Sequence, residues 1–125
     1  MIFQKKRVLA CRRARGELAG CWEFPGGKKE PGEAGEEALQ RELCEELGIE
    51  TEVGRLRQVV IWRSASRLIR LHAYEVRHWT GELRCLDHKE MRWVDAWRGD
   101  VLAWAPADVP IWAELRRELS DAGHF

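Results

Sequence analysis

The length, composition and charge of the chain exclude several classes of protein. Its 125 residues suffice for one hydrophobic core but not for two, so we expect a single domain over residues 1–125. Apolar residues make up 45% and charged residues 34%, which is typical of a soluble globular protein and argues against a disordered chain. No apolar run approaches the roughly 20 residues that span a bilayer, and residues 1–13 carry too many charges for a signal peptide. We therefore expect a cytoplasmic protein that does not enter a membrane.

The predicted elements alternate between strands and helices along the chain. In chain order they are a strand over 7–11, an extended segment over 22–24, a helix over 34–47, strands over 51–62 and 68–79, a short strand over 91–94 and a helix over 109–119. Gly48 follows the first helix as its terminator, and Pro110 lies in the first turn of the second. Residues 97–104 fit neither pattern. This order predicts an α/β or α+β fold with a mixed sheet between helices.

The two signs of charge are separated along the chain. Residues 23–52 carry ten acidic and three basic residues, whereas residues 1–22 and 53–80 each carry six basic residues and one acidic residue. An acidic block between basic blocks suits a site where cations lie beside a polyanion, although a helix with a solvated acidic face is the alternative. Because the basic blocks flank an acidic one, direct nucleic-acid binding is not expected.

The cysteines and histidines show no metal-ligand spacing. The four cysteines include no C-x-x-C pair, so zinc or iron–sulfur sites and a disulfide framework are not expected. We predict that the cysteines are small buried apolar residues. The four histidines are expected to be structural or exposed rather than catalytic.

The helix over 34–47 carries three carboxylates within an arc of about 100° when residues are placed at about 100° intervals. They are Glu42, Glu45 and Glu46. The arc adjoins the leucine stripe of the helix, whereas a merely solvated acidic face would lie opposite it. Like charges at i, i+3 and i+4 repel unless a cation joins them, and magnesium commonly binds carboxylates together with substrate phosphates. Arg41 is placed to pair with Glu37 or Glu45, which would orient a carboxylate.

A longer motif surrounds these carboxylates. The chain fits the pattern G-x5-E-x7-R-E-U-x-E-E-x-G-U, where U is aliphatic, at every fixed position: Gly27, Glu33, Arg41, Glu42, Leu43, Glu45, Glu46, Gly48 and Ile49. This segment resembles the Nudix box. A chance match at one starting point has a probability on the order of 10⁻⁸.

The resemblance extends to the MutT-like branch of that family. The lead-in over residues 22–27, the segment over 87–94 and the segment over 105–110 are similar to that branch. The resemblance implies a Nudix fold with a mixed sheet sandwiched between helices, and it suggests that the first strand of this chain is truncated. It also implies a nucleoside triphosphate pyrophosphohydrolase that acts on 8-oxo-dGTP or another damaged dNTP, or alternatively on CTP or dCTP.

Roles in catalysis and metal binding follow from matching positions. The resemblance implies that Glu46 is a principal ligand of Mg²⁺, with Mn²⁺ as a substitute, and that Glu42 and Glu45 share metals or accept a proton. It implies that the Gly26 carbonyl is a further ligand and that Arg41, with Glu33, orients the carboxylates. Asp87 matches a metal-binding or basic position outside the box, and Glu90 is the alternative.

Substrate contacts are implied in the same way. The resemblance assigns polyphosphate or nucleoside contacts to Arg12, Lys28 and Arg67, and places the lead-in residues Glu23, Phe24, Pro25 and Gly26 against the substrate. Asp108 is the candidate for reading the base, because a carboxylate can accept from adjacent N–H donors of guanine or from the amine of cytosine. The expected partner is a nucleoside triphosphate, and the protein is expected to be a monomer or homodimer. A non-catalytic nucleotide-binding or partner module is the alternative of a different class.

Overall fold

The computed structural model describes residues 1–26, 32–63, 65–66 and 68–122. The strands are β1 (Phe3–Gln4), β2 (Arg7–Arg12), β3 (Trp22–Glu23), β4 (Glu50–Arg63), β5 (Leu68–Thr80) and β6 (Glu90–Val94). The helices are α1 (Gly35–Leu47), α2 (Ala96–Gly99) and α3 (Val109–Ala122), and a 3-10 helix over Pro106–Asp108 precedes α3. Three residues of the predicted site and box, Gly27, Lys28 and Arg67, lie outside the described residues.

Strand β2 is the centre of the larger sheet. It pairs antiparallel with β1 and β3 at its two ends and with β6 along most of its length. Strands β4 and β5 form a separate antiparallel pair. Two isolated parallel bridges supply the parallel component of the predicted mixed sheet: Ile2 with Val76 joins the larger sheet to β5, and Trp22 with Trp104 joins β3 to the segment before the 3-10 helix.

The core lies on both faces of β2. Side chains alternate along a strand, so Val8 and Ala10 pack with α3 while Leu9 and Cys11 pack with α1. The prediction of a helix on either side of the sheet is therefore confirmed. None of the helices in the described part of the chain is both long enough and apolar enough to cross a membrane.

The predicted end of α1 at Leu47 is confirmed, and the helix begins one residue after the predicted start at Ala34. Ala34 is extended and precedes the first helical residue, and Gly48 adopts a left-handed conformation at φ 70° while its N–H donates to the Cys44 carbonyl. A glycine adopts this conformation without the steric cost of a Cβ. The ambiguous stretch 97–104 contains most of α2, and the Arg98 N–H of this helix donates to the Asp95 side chain.

The prediction of four buried cysteines is wrong for two of them. Cys11 is buried and Cys21 is half-buried, but Cys44 and Cys85 are exposed, and none of the four forms a disulfide. Cys44 lies about 100° around α1 from Leu43, beyond the edge of the buried stripe. Cys85 lies in the connection between β5 and β6, where neighbouring backbone rather than the thiol contacts α1.

Candidate active site

Helix α1 presents its three carboxylates at three different depths. The side chains of Glu46, Glu42 and Glu45 are 9%, 17% and 58% exposed, respectively. This order follows from helical geometry, because Glu46 lies closest to the apolar stripe and Glu45 lies farthest from it. The residues predicted as one group are therefore one buried, one partly buried and one solvated carboxylate on the same side of the helix.

Burial makes Glu46 an unusual acid. Desolvation raises the pKa of Glu46 to about 9, a hydrogen bond with Glu42 and the nearby charges of Glu42 and Glu23 act in the same direction, and the Gly26 N–H opposes them. That N–H donates to Glu46 Oε1 at 3.4 Å. A negative charge at this position is therefore costly unless a positive group compensates for it.

Arg41 organises the carboxylates around it. Its guanidinium donates to both Glu33 oxygens, at 2.8 and 3.1 Å, and to Glu42 at 3.0 Å. It also reaches Glu45 at 3.3 Å, which is one of the two partners predicted for it. Arg41 thus lies among carboxylates that precede and line the same helix, an arrangement that suits orientation of side chains.

Strand β3 brings Glu23 into the same region. Arg13 donates to Glu23 Oε1 at 2.8 Å, and the His88 Nε2 atom lies 2.9 Å from Glu23 Oε2 and 3.6 Å from Glu46 Oε1. Arg13 was not among the predicted site residues, and the histidines were expected to be structural or exposed rather than catalytic. The only available signal for His88 was its position in the acid–His segment that resembles the MutT-like branch.

Other predicted residues lie in separate contacts. Arg12 donates to the Gly20 carbonyl at 3.2 Å and to Glu90 at 3.3 Å. The carboxylate of Asp87 pairs with Arg15, and its side chain is 52% exposed. The structure thus places Asp87 and its alternative Glu90 in ion pairs with arginines, and their metal roles stay predictions.

A second polar centre lies at Asp108. This residue is 7% exposed, and its Oδ1 atom accepts from the Phe24 N–H at 3.1 Å. Burial raises the pKa of Asp108 to about 7, and the Phe24 hydrogen bond opposes that shift. The ring of Phe24 stacks on Trp104 at 4.7 Å between centroids, so the centre is a carboxyl group beside aromatic rings.

The donor chemistry of α1 suits a hard cation. Carboxylate oxygens are the ligands that Mg²⁺ prefers, and a cation would offset the cost of charge on buried Glu46. Within the described residues, no three His, Cys, Asp or Glu side chains are grouped closely enough to hold a metal ion as they stand. Glu45 is directed to Arg41 and Glu46 to Gly26 and His88, so Glu42, Glu45 and Glu46 are candidate ligands by chemistry and by their shared side of α1.

Gly26 occupies a position where a side chain would be strained. Its φ is 129°, and a Cβ there would lie 2.9 Å from Leu39 Cδ1. We expect Gly26→Ala to lower the free energy of unfolding by about 1–3 kcal/mol, since both the backbone and the packing of α1 would be strained. Gly32→Ala is the matched control, because Gly32 also has a positive φ but no atom within 4 Å of its Cβ position. Equal losses of the free energy of unfolding in Gly26→Ala and Gly32→Ala, measured with urea, would show that the contact with Leu39 has no effect.

Comparison with known proteins agrees with this geometry. The NUDIX domain profile matches residues 1–117. The CTP pyrophosphohydrolase of Escherichia coli K12 is 42% identical over 106 residues, covering 85% of this chain and 78% of that protein. The 8-oxo-dGTP diphosphatase of the same organism is 34% identical over 115 residues, covering 91% and 89%. The solution structure of the E. coli ORF135 protein superimposes with a TM-score of 0.84 at 37% identity, covering 98% of this chain and 87% of that one. The chain therefore belongs to the NUDIX domain family.

Proposed function

We propose that this protein is a magnesium-dependent nucleoside triphosphate pyrophosphohydrolase, which converts a nucleoside triphosphate to the monophosphate and pyrophosphate. The observation that carries the proposal is the set of carboxylates on α1, in which buried Glu46 contacts Glu42 while Arg41 engages Glu33, Glu42 and Glu45. All three glutamates of this set, Glu42, Glu45 and Glu46, are present, whereas a module that only binds nucleotides has no need for them.

Nudix hydrolases generally use a divalent metal, typically Mg²⁺. In this chain Glu42, Glu45 and Glu46 would hold it, with the Gly26 carbonyl as a further ligand. Such an ion lowers the pKa of a bound water and offsets charge on the phosphates. The protein's own contribution is to orient Glu42 and Glu45 through Arg41 and to keep Glu46 in a water-poor setting, where its interaction with a cation is strong.

The base would bind at the Asp108 centre. One oxygen of Asp108 is engaged by the Phe24 N–H, which fixes the plane of the carboxyl group for a ligand at the other oxygen. This arrangement accepts from the N–H groups of an oxidised guanine, and 8-oxo-dGTP or a similar damaged dNTP is the leading substrate. CTP or dCTP is the second candidate, because the exocyclic amine of cytosine fits the same acceptor and a relative of 42% identity is named CTP pyrophosphohydrolase.

Substrate and partners follow from the same site. The acidic centre between basic blocks favours a free nucleotide with its metal over a nucleic-acid strand. We propose that residues 1–125 act as one domain in this reaction, and the NUDIX match over residues 1–117 supports that extent.

The proposed reaction predicts a defined product ratio. With Mg²⁺, a panel of canonical and oxidised NTPs and dNTPs should yield nucleoside monophosphate and pyrophosphate in equal amounts, and a chelator should stop the reaction. Products are resolved by chromatography, and kcat/KM is compared across the panel. Nucleotide binding without turnover would favour the binding-module alternative, and direct release of inorganic phosphate would contradict the proposed bond cleavage.

A further inference from the structure

A short segment between β5 and β6, residues 85–89, is hydrogen-bonded to both α1 and β2. The Leu86 N–H donates to the Glu46 carbonyl at 3.0 Å, and the Lys89 N–H donates to the Arg12 carbonyl at 2.9 Å. The Cys85 thiol contacts the His88 carbonyl at 3.2 Å. These bonds tie the segment to α1 on one side and to β2 on the other, and they place His88 between them.

The His88 side chain is almost fully buried between two carboxylates. It is 4% exposed, and its Nε2 atom lies 2.9 Å from Glu23 Oε2 and 3.6 Å from Glu46 Oε1. A carboxylate only accepts, so Nε2 is the donor in the shorter contact. Arg13 holds the other oxygen of Glu23, at 2.8 Å. Glu23 is thus fixed from two sides, and one of the two donors is His88.

The second ring nitrogen of His88 shows that burying this side chain costs folding free energy. The Nδ1 atom of His88 is buried and has no hydrogen-bond partner among the described residues. A buried polar atom without a partner costs about 1–3 kcal/mol. An apolar side chain would fill the same space without that cost, so packing alone does not account for a histidine here.

We propose that His88 is a positioning residue that sets the spacing between Glu23 on β3 and Glu46 on α1. The proposal rests on the function proposed above, in which Glu46 binds metal and the β3 lead-in lies against the nucleotide. The Nε2–H group that hydrogen-bonds Glu23 Oε2 lies 3.6 Å from Glu46 Oε1, so it fixes the orientation of Glu23 and sets how closely Glu46 can approach it. His88 thereby couples the metal-binding helix to the nucleotide-binding strand without touching substrate.

The test compares His88→Phe with His88→Gln. Phenylalanine keeps the buried volume and removes the donor, whereas the amide nitrogen of glutamine can reach the Nε2 position and donate to Glu23. We expect His88→Phe to weaken Mn²⁺ binding and to lower kcat by about 10- to 100-fold each, the usual range for partners that orient metal ligands. His88→Gln should restore most of both. His78→Phe, at an exposed position on β5, is the matched control and should change neither.

Mn²⁺ binding, measured by calorimetry without nucleotide, separates this proposal from the proposed function. If wild-type protein turns over nucleotide and His88→Phe binds Mn²⁺ normally, the positioning role is overturned while the function stands. Equal losses in the Phe and Gln variants with a lower melting temperature would mean that His88 is only structural. If His88→Phe does not fold, His88→Gln is compared with His88→Asn, whose amide falls short of Glu23. Weaker Mn²⁺ binding in the Asn variant alone supports the proposal, and equal binding in both overturns it.

Discussion

Glu46→Gln is expected to lower kcat at least 10-fold while it stabilises the metal-free fold. An amide lacks the negative charge that a divalent cation requires, and loss of a required ligand costs at least about 10-fold in activity or affinity. Glu37→Gln on the exposed side of α1 makes the same chemical change and should leave kcat unaltered. A Glu46→Gln variant that keeps more than about a tenth of wild-type kcat would contradict the assignment of Glu46 as a ligand.

The stability effect of Glu46→Gln has a definite dependence on pH. Burial raises the pKa of Glu46 from 4.5 to about 9, so between these values the folded protein binds a proton that the unfolded chain releases. The free energy of unfolding of the wild type therefore falls as pH rises through this window, and the variant does not share that fall. We expect the variant to be more stable by about 1–3 kcal/mol at pH 7 in the presence of a chelator.

Saturating Mg²⁺ should make the wild type more stable than Glu46→Gln. A cation that binds only the folded state stabilises it by mass action, and the wild type binds the cation more tightly than the variant. Urea unfolding with chelator and with Mg²⁺ measures both halves of the prediction. A variant that gains as much stability from Mg²⁺ as the wild type would show that the cation binds elsewhere.

Asp108→Ala is expected to lower kcat/KM for the preferred nucleotide by about 10- to 200-fold, equivalent to the loss of roughly 1–3 kcal/mol of hydrogen bonding to the base. Poor substrates that never made those bonds should be hydrolysed at nearly unchanged rates, and they serve as the internal control. Equal losses for every nucleotide would mean that Asp108 acts only by holding Phe24, whose N–H loses its acceptor in this variant.

Asp108→Asn distinguishes the two substrate proposals. Its carbonyl can keep the bond from the Phe24 N–H, and its amide then presents a donor where the carboxylate presented an acceptor. Increased preference for 8-oxo-dGTP over CTP would indicate that the wild type has pyrimidine or mixed specificity. An unchanged preference, measured as a ratio of kcat/KM values, would show that other residues shape the base site.

Local sequence signals predicted the elements that local chemistry controls. Gly48 marks the end of α1, and the spacing of the glutamates predicts that Glu42, Glu45 and Glu46 share one side of the helix, so both features were predicted from one stretch of sequence. The match of the NUDIX profile confirms the resemblance based on that stretch. Strands β4 and β5 were predicted within a few residues because their apolar residues alternate.

The contacts around Glu23 depend on the pairing of strands that are distant in sequence, and local sequence patterns did not predict that pairing. His88 reaches Glu23 because β6 pairs with β2 while β3 pairs with the end of the same strand, and no local pattern encodes this register. The contact between Arg13 and Glu23 was not predicted, for a related reason. Adjacent residues point to different sides of an extended chain, and only the folded neighbours decide that Arg12 meets Glu90 while Arg13 meets Glu23.

The chain that leaves β3 links the two polar centres at a fixed spacing. The Phe24 N–H binds Asp108, and the Gly26 N–H binds Glu46. Only Pro25 separates the two donors, so an inserted residue here would break one of the two bonds. Such a domain can therefore change its preferred nucleotide by substitution of side chains, such as that at position 108, rather than by insertion at this place. Insertions are tolerated in connections such as the exposed turn over residues 14–19.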